Sequence, residues 1–292
     1  MEKITLNSFA KINLFLEVQG RRPDGFHNIR TVFQTIDLAD EVTVTKASGA
    51  ITLFCDSPEV PLDKTNIAFK AAELILQENN IKSGLKITIK KNIPVTAGLA
   101  GGSSNAAAVL NACVKLFDLN CGYAELSRFA LTLGSDVPFL LKGGTALGEG
   151  RGEILTQLNP VADTPLVLVV AGQKPSTGAI YSGFTKTLTN EKVFDKKLEE
   201  FKLLKAAKGG ALAKLFYNDL EAPAGKIFPV LFEVKENMLA AGALGALMSG
   251  SGPAVFGISE SEGKAEELAV KLMKKYNRVI TAKTIDPALL KE

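Results

Sequence analysis

Residues 94–108, PVTAGLAGGSSNAAA, constrain this 292-residue chain more than any other segment. Gly98, Gly101 and Gly102 sit in a loop that runs directly into a small-residue helix opened by Ser103, Ser104 and Asn105. Glycine lets a backbone approach a bulky anion and take φ > 0 at little steric cost. The helix behind it turns unpaired N–H groups and a partial charge of roughly +0.5 toward the same point. The combination reads as a phosphate cradle. The plainer alternative is a glycine-rich turn capping a buried helix, but three glycines and a double-serine cap exceed what a plain turn needs. The spacing Gly-x-x-Gly-Gly-Ser-Ser matches neither the lysine-bearing P-loop nor the dinucleotide G-x-G-x-x-G pattern.

The length favours two domains, with a boundary expected near residue 160, give or take ten: 1–160 and 161–292. A composition of 46% hydrophobic and 22% charged residues is that of a globular chain. Its net charge of +3, with lysines spread along the sequence, argues against nucleic acid or a membrane surface as partner. Cys55, Cys113 and Cys121 form no C-x-x-C pair, and Cys113 and Cys121, in or just after an apolar helical stretch, read as buried thiols. No signal peptide and no 18-residue uncharged apolar window is present, so the expected setting is a reducing bacterial cytoplasm.

The first third reads as β: strands over 4–18, 29–36, 41–45 and 85–89, with a turn at 19–25. Ile67, Ala71, Leu74 and Ile75 recur at helical spacing over 66–77, with Asn66 placed to cap. Helices are expected over 103–116 and 123–133, the first apolar on nearly every side and therefore buried. Residues 143–150 read as a glycine-flanked strand or turn. After a proline-rich break at 159–165, strands over 166–170, 244–248, 253–258 and 278–283 alternate with helices over 177–186, 196–206, 225–241 and 262–276. The class is α+β or mixed α/β.

Four polar islands could carry chemistry. Lys11 lies on an apolar strand and shares its face with Asn13, because strand side chains repeat every two residues. Arg22-Pro23-Asp24-Gly25-Phe26-His27 holds the only histidine, at what is otherwise a hairpin turn. Asp136 follows a helix end in Gly134-Ser135-Asp136, where an Asx-turn is the simpler reading. Met248-Ser249-Gly250-Ser251-Gly252-Pro253 is a second glycine turn between apolar strands. Each is equivocal alone. Together they supply what a phosphoryl transferase needs: a phosphate grip, a carboxylate to take a hydroxyl proton and a cation to steady developing charge. A zinc site is disfavoured with one histidine and scattered cysteines.

Residues 94–107 resemble the ATP loop of the GHMP kinases, and 248–257 (MSGSGPAVFG) resemble that superfamily's third motif. Residues 8–14 (SFAKINL), 22–27 (RPDGFH), 134–139 (GSDVPF) and 143–152 (GGTALGEGRG) are similar to one branch, whose members phosphorylate a cytidine-diphosphate-linked methylerythritol. The resemblance implies a two-domain α+β GHMP-kinase fold, with an N-terminal mixed β/α domain and a C-terminal ferredoxin-like α/β sandwich domain.

It also implies roles. Lys11 and Asp136 would be the catalytic pair. Pro94, Val95, Thr96, Ala97, Gly98, Leu99, Ala100, Gly101, Gly102, Ser103 and Ser104 would hold the triphosphate, with Asn66 at the adenine. Asn13, Phe26, His27 and Tyr181 would hold the cytidine end, the base lying between two aromatic rings. ATP would be co-substrate with Mg²⁺, which phosphate oxygens and water would hold mainly, with the Ser104 hydroxyl as a candidate ligand. The protein would act as a monomer or weak homodimer. Two departures stand out: Phe26 replaces a usual tyrosine, and Ala100 replaces a frequent glycine. Alanine disfavours φ > 0, so the loop is expected to be αR or extended at Ala100.

Overall fold

The computed structural model describes residues 2–161, 163–172, 176–184, 192–204 and 209–289. Its elements begin with β1 (Lys3–Arg21), β2 (His27–Ala47), β3 (Thr52–Cys55), α1 (Ile67–Glu78) and β4 (Gly84–Lys90). Next come α2 (Gly101–Phe117), α3 (Tyr123–Leu133), α4 (Val137–Leu140), β5 (Thr145–Glu149) and β6 (Ile154–Gln157). The remainder opens with β7 (Pro165–Val170), α5 (Thr177–Ser182), α6 (Lys192–Leu203), α7 (Gly210–Ala213) and β8 (Tyr217–Asn218). It closes with α8 (Glu221–Ile227), α9 (Val230–Ala241), β9 (Gly245–Met248), β10 (Ala254–Ile258), α10 (Glu262–Met273) and β11 (Val279–Lys283).

The chain forms two compact units that are not contiguous in sequence. One comprises Met1–Lys11, Leu38–Val95 and Ala100–Gly143; the other Ile12–Asp37, Thr96–Leu99 and Gly144–Glu292. The boundary expected near residue 160 falls inside the second unit.

In the first unit β4 lies between β3, to which it is parallel, and the C-terminal half of β2, to which it is antiparallel. Its alternating pattern sends Leu85, Ile87 and Ile89 inward, where Val42, Val44, Phe69 and Ile75 meet them. Helix α2 supplies Ala106, Ala107, Ala108 and Ala112 to the same core, small side chains that let it pack closely on α1. Cys113 is buried there, and burial pushes its thiol up to about 12. Asn66 caps α1, its side-chain oxygen accepting from the Ala68 N–H at 2.8 Å.

In the second unit β7, β9, β10 and β11 form an antiparallel sheet ordered β11-β7-β10-β9. Numbered by appearance this is 4-1-3-2, the strand order of a ferredoxin-like sandwich. Val167, Val169, Met248 and Val255 face Met238, Leu268 and Leu272 of helices α9 and α10. The first half of β2 pairs with β5, which pairs with β6, and β8 runs parallel to β1 at Phe15 and Leu16.

Three expectations need correction. Residues 29–36 and 41–45 belong to one 21-residue strand, because the polar interruption at Asp40 is satisfied inside the fold. The helix expected over 225–241 is two helices, broken where Pro229 follows Phe228, which takes φ −137° and ψ 72°. The helix expected over 177–186 stops at Ser182. Residues 185–186, like the end of the helix expected over 196–206, lie outside the described residues.

Candidate active site

In the first unit Lys11 is 4% exposed. Burial pulls its pKa below the ordinary lysine value, and the negative charge of Asp136 opposes that shift. The two expected catalytic residues therefore lie within electrostatic reach of each other. Asp136 stands at the N-cap of α4, where its side chain makes no capping hydrogen bond. Pro138 in the first turn suits a helix start, so α4 forms without the carboxylate. The Asx-turn alternative thus falls away.

The cradle differs from expectation in two respects. Helix α2 starts at Gly101, and its N-cap is Ala100 in the left-handed region (φ 57°, ψ 30°), not αR or extended. Thr96 (φ 56°) and Gly98 (φ 81°) are left-handed as well, so left-handed residues alternate along this backbone. Left-handed residues that alternate with right-handed ones are the backbone pattern of anion-binding nests. Nor do serines cap the helix. The Ser104 hydroxyl donates to the Phe9 carbonyl at 2.7 Å and accepts from the Ser8 hydroxyl at 2.8 Å. That inward commitment does not suit a metal ligand.

A buried polar network fixes this first turn. Asp40, fully buried, accepts from the Asn92 and Ile93 N–H groups at 2.8 Å each, from the Asn105 amide at 2.8 Å and from the Lys91 ammonium. Asn105 also donates to Ser8 at 2.9 Å. The strand end two residues before Lys11 is thereby tied to the helix that starts at Gly101. A β-carbon on Gly101 would lie 3.2 Å from the Lys91 Nζ and 3.0 Å from Ile93. Sequence reasoning missed Asp40 and Lys91. A lone aspartate on a strand and a lysine at a strand exit carry no signal of their own.

In the second unit, residues 96–99 are held against the turn 248–253. The Ser249 hydroxyl donates to the Gly98 carbonyl at 3.1 Å, and the Ala254 N–H donates to the Ala97 carbonyl at 3.0 Å. A β-carbon on Gly98 would lie 2.5 Å from the Ser249 carbonyl, so only glycine permits this approach.

The second unit also holds the residues expected at a pyrimidine. The His27 and Tyr181 rings pack in a tilted arrangement, with centroids 5.2 Å apart and planes at 33°. Phe26 is 54% exposed, with the Arg151 guanidinium 4.9 Å over its ring. Asn13 is buried and donates to the Thr31 hydroxyl at 2.8 Å. Burial, then the Arg21 charge, lowers the His27 pKa below its ordinary value. Asn66 is committed to its helix: besides capping, its amide donates to the Pro61 carbonyl at 2.8 Å. Among the described residues no three histidine, cysteine, aspartate or glutamate side chains gather to hold a metal, and no helix is long and apolar enough to cross a membrane.

Two family models match: the GHMP kinase N-terminal domain over residues 66–144 and the GHMP kinase C-terminal domain over 201–278. The class is therefore that of the GHMP kinases. The 4-diphosphocytidyl-2-C-methyl-D-erythritol kinase of Acetivibrio thermocellus is 44% identical over 91% of this chain and 93% of that protein. The kinase of the same name from Clostridium botulinum is 42% identical over 96% of this chain and 99% of its own. A crystal structure of a 4-(cytidine 5′-diphospho)-2C-methyl-D-erythritol kinase superposes with a TM-score of 0.79 at 34% identity, covering 96% of this chain and 99% of that one. Within its class the chain belongs to the family of 4-diphosphocytidyl-2-C-methyl-D-erythritol kinases.

Proposed function

We infer that the protein transfers the γ-phosphoryl group of ATP to the 2-hydroxyl of 4-diphosphocytidyl-2-C-methyl-D-erythritol, a step of the non-mevalonate route to isoprenoid precursors. The observation that carries the mechanism is the buried Lys11 beside Asp136, on a strand tied to the first turn of α2. In this reading the substrate oxygen bonds to the γ-phosphorus while the bond to the β-bridging oxygen breaks and ADP leaves. Asp136 takes the hydroxyl proton. Lys11 orients the carboxylate and steadies the charge gathering on the attacked oxygen. The left-handed loop and the α2 N-terminus present amide hydrogens to the triphosphate.

His27, Tyr181, Phe26 and Asn13 are assigned to the cytidine end. Stacking on a base is worth roughly 1–3 kcal/mol, and a hydrogen bond to the pyrimidine edge supplies the discrimination that stacking lacks. Asn66 is assigned to the adenine end through its backbone and the surface of the cap, since its amide is committed to the fold. An Mg²⁺ ion would arrive on ATP and be held mainly by phosphate oxygens and water, with the Asp136 carboxylate as the protein donor it could meet; it would supply neutralisation of phosphate charge. Three cysteines without disulfides fit a reducing bacterial cytoplasm, and a monomer or weak homodimer suffices for this chemistry.

Asp136→Asn tests the reading. Turnover should fall by about 10²–10⁴-fold, the contribution of a positioned base, with ATP affinity nearly unchanged. Retained turnover would remove Asp136 as the base.

A further inference from the structure

We propose that Asn218 and Glu221 are positioning residues that shape the nucleotide-phosphate loop by gripping the turn behind it, residues 248–253. This rests on the reading of residues 94–104 as the triphosphate loop. Asn218 is 6% exposed and uses its whole amide: both hydrogens donate to turn carbonyls, Met248 at 2.9 Å and Gly250 at 2.8 Å. Its oxygen accepts from the Leu220 N–H at 2.9 Å, which fixes the amide plane. One Glu221 oxygen accepts from the Met248 N–H at 2.9 Å, while the other pairs with Lys235 at 2.6 Å.

The bracket is itself anchored. Tyr217 and Asn218 run parallel to β1 at Phe15 and Leu16. The Asp219 N–H donates to the Leu16 carbonyl at 3.0 Å, and its carboxylate accepts from the Val18 N–H at 2.8 Å. Two carbonyls of the turn are therefore held from β8, and the Met248 N–H from the first residue of α8.

What the turn holds is the loop. The Ser249 hydroxyl in the turn fixes the Gly98 carbonyl, and the N–H of Ala254, the β10 residue that directly follows the turn, fixes the Ala97 carbonyl. In a trans peptide the C=O of one residue and the N–H of the next point in opposite directions. Pinning those two carbonyls to the turn therefore directs the Gly98 and Leu99 N–H groups away from it, the orientation an anion-binding loop requires. If the turn's peptides were free to rotate, the loop's amides would lose their common aim. The bracket acts on ATP, and it acts through the turn.

Steady-state kinetics on the full-length enzyme, with ATP and the cytidyl substrate varied separately, test this. Asn218→Ala and Glu221→Ala should each raise the ATP KM about tenfold, the scale of a lost buried hydrogen bond. Turnover at saturating ATP and the cytidyl-substrate KM should stay near wild type. Glu221→Gln keeps an acceptor for the Met248 N–H and should restore the ATP KM. If Asn218→Ala does not fold, Asn218→Asp decides: it keeps bulk and the acceptor for Leu220 but removes both donors.

Gly98→Ala is the control for the loop reading, because its β-carbon clashes with the turn. A raised ATP KM in Gly98→Ala with a wild-type value in the bracket variants would overturn the proposal and spare the loop. An unchanged ATP KM in Gly98→Ala would sink the loop reading and the proposal with it. Equal losses in both KM values and turnover would reduce the bracket to scaffold and also overturn it.

Discussion

Replacing Ala100 by glycine should stabilise the protein. Ala100 occupies φ 57°, ψ 30° as the N-cap of α2, and makes no side-chain capping bond there. For an L-residue the left-handed conformation costs roughly 1–2 kcal/mol, because the β-carbon crowds the following carbonyl. Glycine escapes that strain but gives up roughly 0.5–1 kcal/mol through the extra freedom of its unfolded chain. Glycine is also preferred over alanine at an N-cap, which adds a few tenths. The balance is a gain of about 1 kcal/mol, or roughly 2–4 °C in melting temperature for a chain of this size. Urea denaturation and thermal melts of wild type, Ala100→Gly and Ala100→Val read it directly. Valine, stiff at χ1 and poorly suited to positive φ, should lose at least about 1 kcal/mol. Should glycine destabilise while valine is tolerated, Ala100 is not left-handed, and the account of the loop's alternating backbone fails.

Other consequences follow from buried charge. Lys11→Met should cut turnover by at least about 10²-fold without lowering the melting temperature, since it removes a charge whose desolvation the fold must bear. Asp40→Ala should cost about 3–5 kcal/mol in urea unfolding, because Lys91, Asn105 and two backbone N–H groups lose their shared buried acceptor. The lowered His27 pKa keeps its imidazole neutral at pH 7. The cytidyl-substrate KM should therefore rise only as pH falls below the ordinary histidine value near 6.5. Arg21→Gln removes one cause of the depression and should shift that rise to higher pH; a pH-independent KM would detach His27 from the pyrimidine.

Local pattern made much of the fold legible. Helices α1, α2 and α3 announce themselves by apolar spacing, and β7, β10 and β11 by short apolar runs between breakers. The Lys11–Asp136 pairing was legible too, but through motif resemblance and not through spacing, since 125 positions of chain separate the two. Ala100 was misjudged because propensity forbids what a surrounding structure can enforce. Ser104 does not cap α2, because its partners, Ser8 and Phe9, lie on a strand distant in sequence. Strand β8 is two residues long, too short for any periodicity, so no pattern marks Asn218 in the sequence. Asp40 was invisible for the same reason: burial of a carboxylate is decided by groups that arrive from elsewhere.

The interleaving of the two units sets an order on synthesis. Residues 12–37 emerge from the ribosome roughly a hundred residues before Gly144–Glu292, with which they group. Until then those halves of β1 and β2 carry open edges and uncovered apolar side chains, a liability for aggregation during translation. A chimaera spliced from two relatives at residue 160 would join β1, β2 and β5 of one parent to β7–β11 of the other inside a single core. Crossover points for recombining these enzymes should therefore follow the spatial grouping and not the midpoint of the gene.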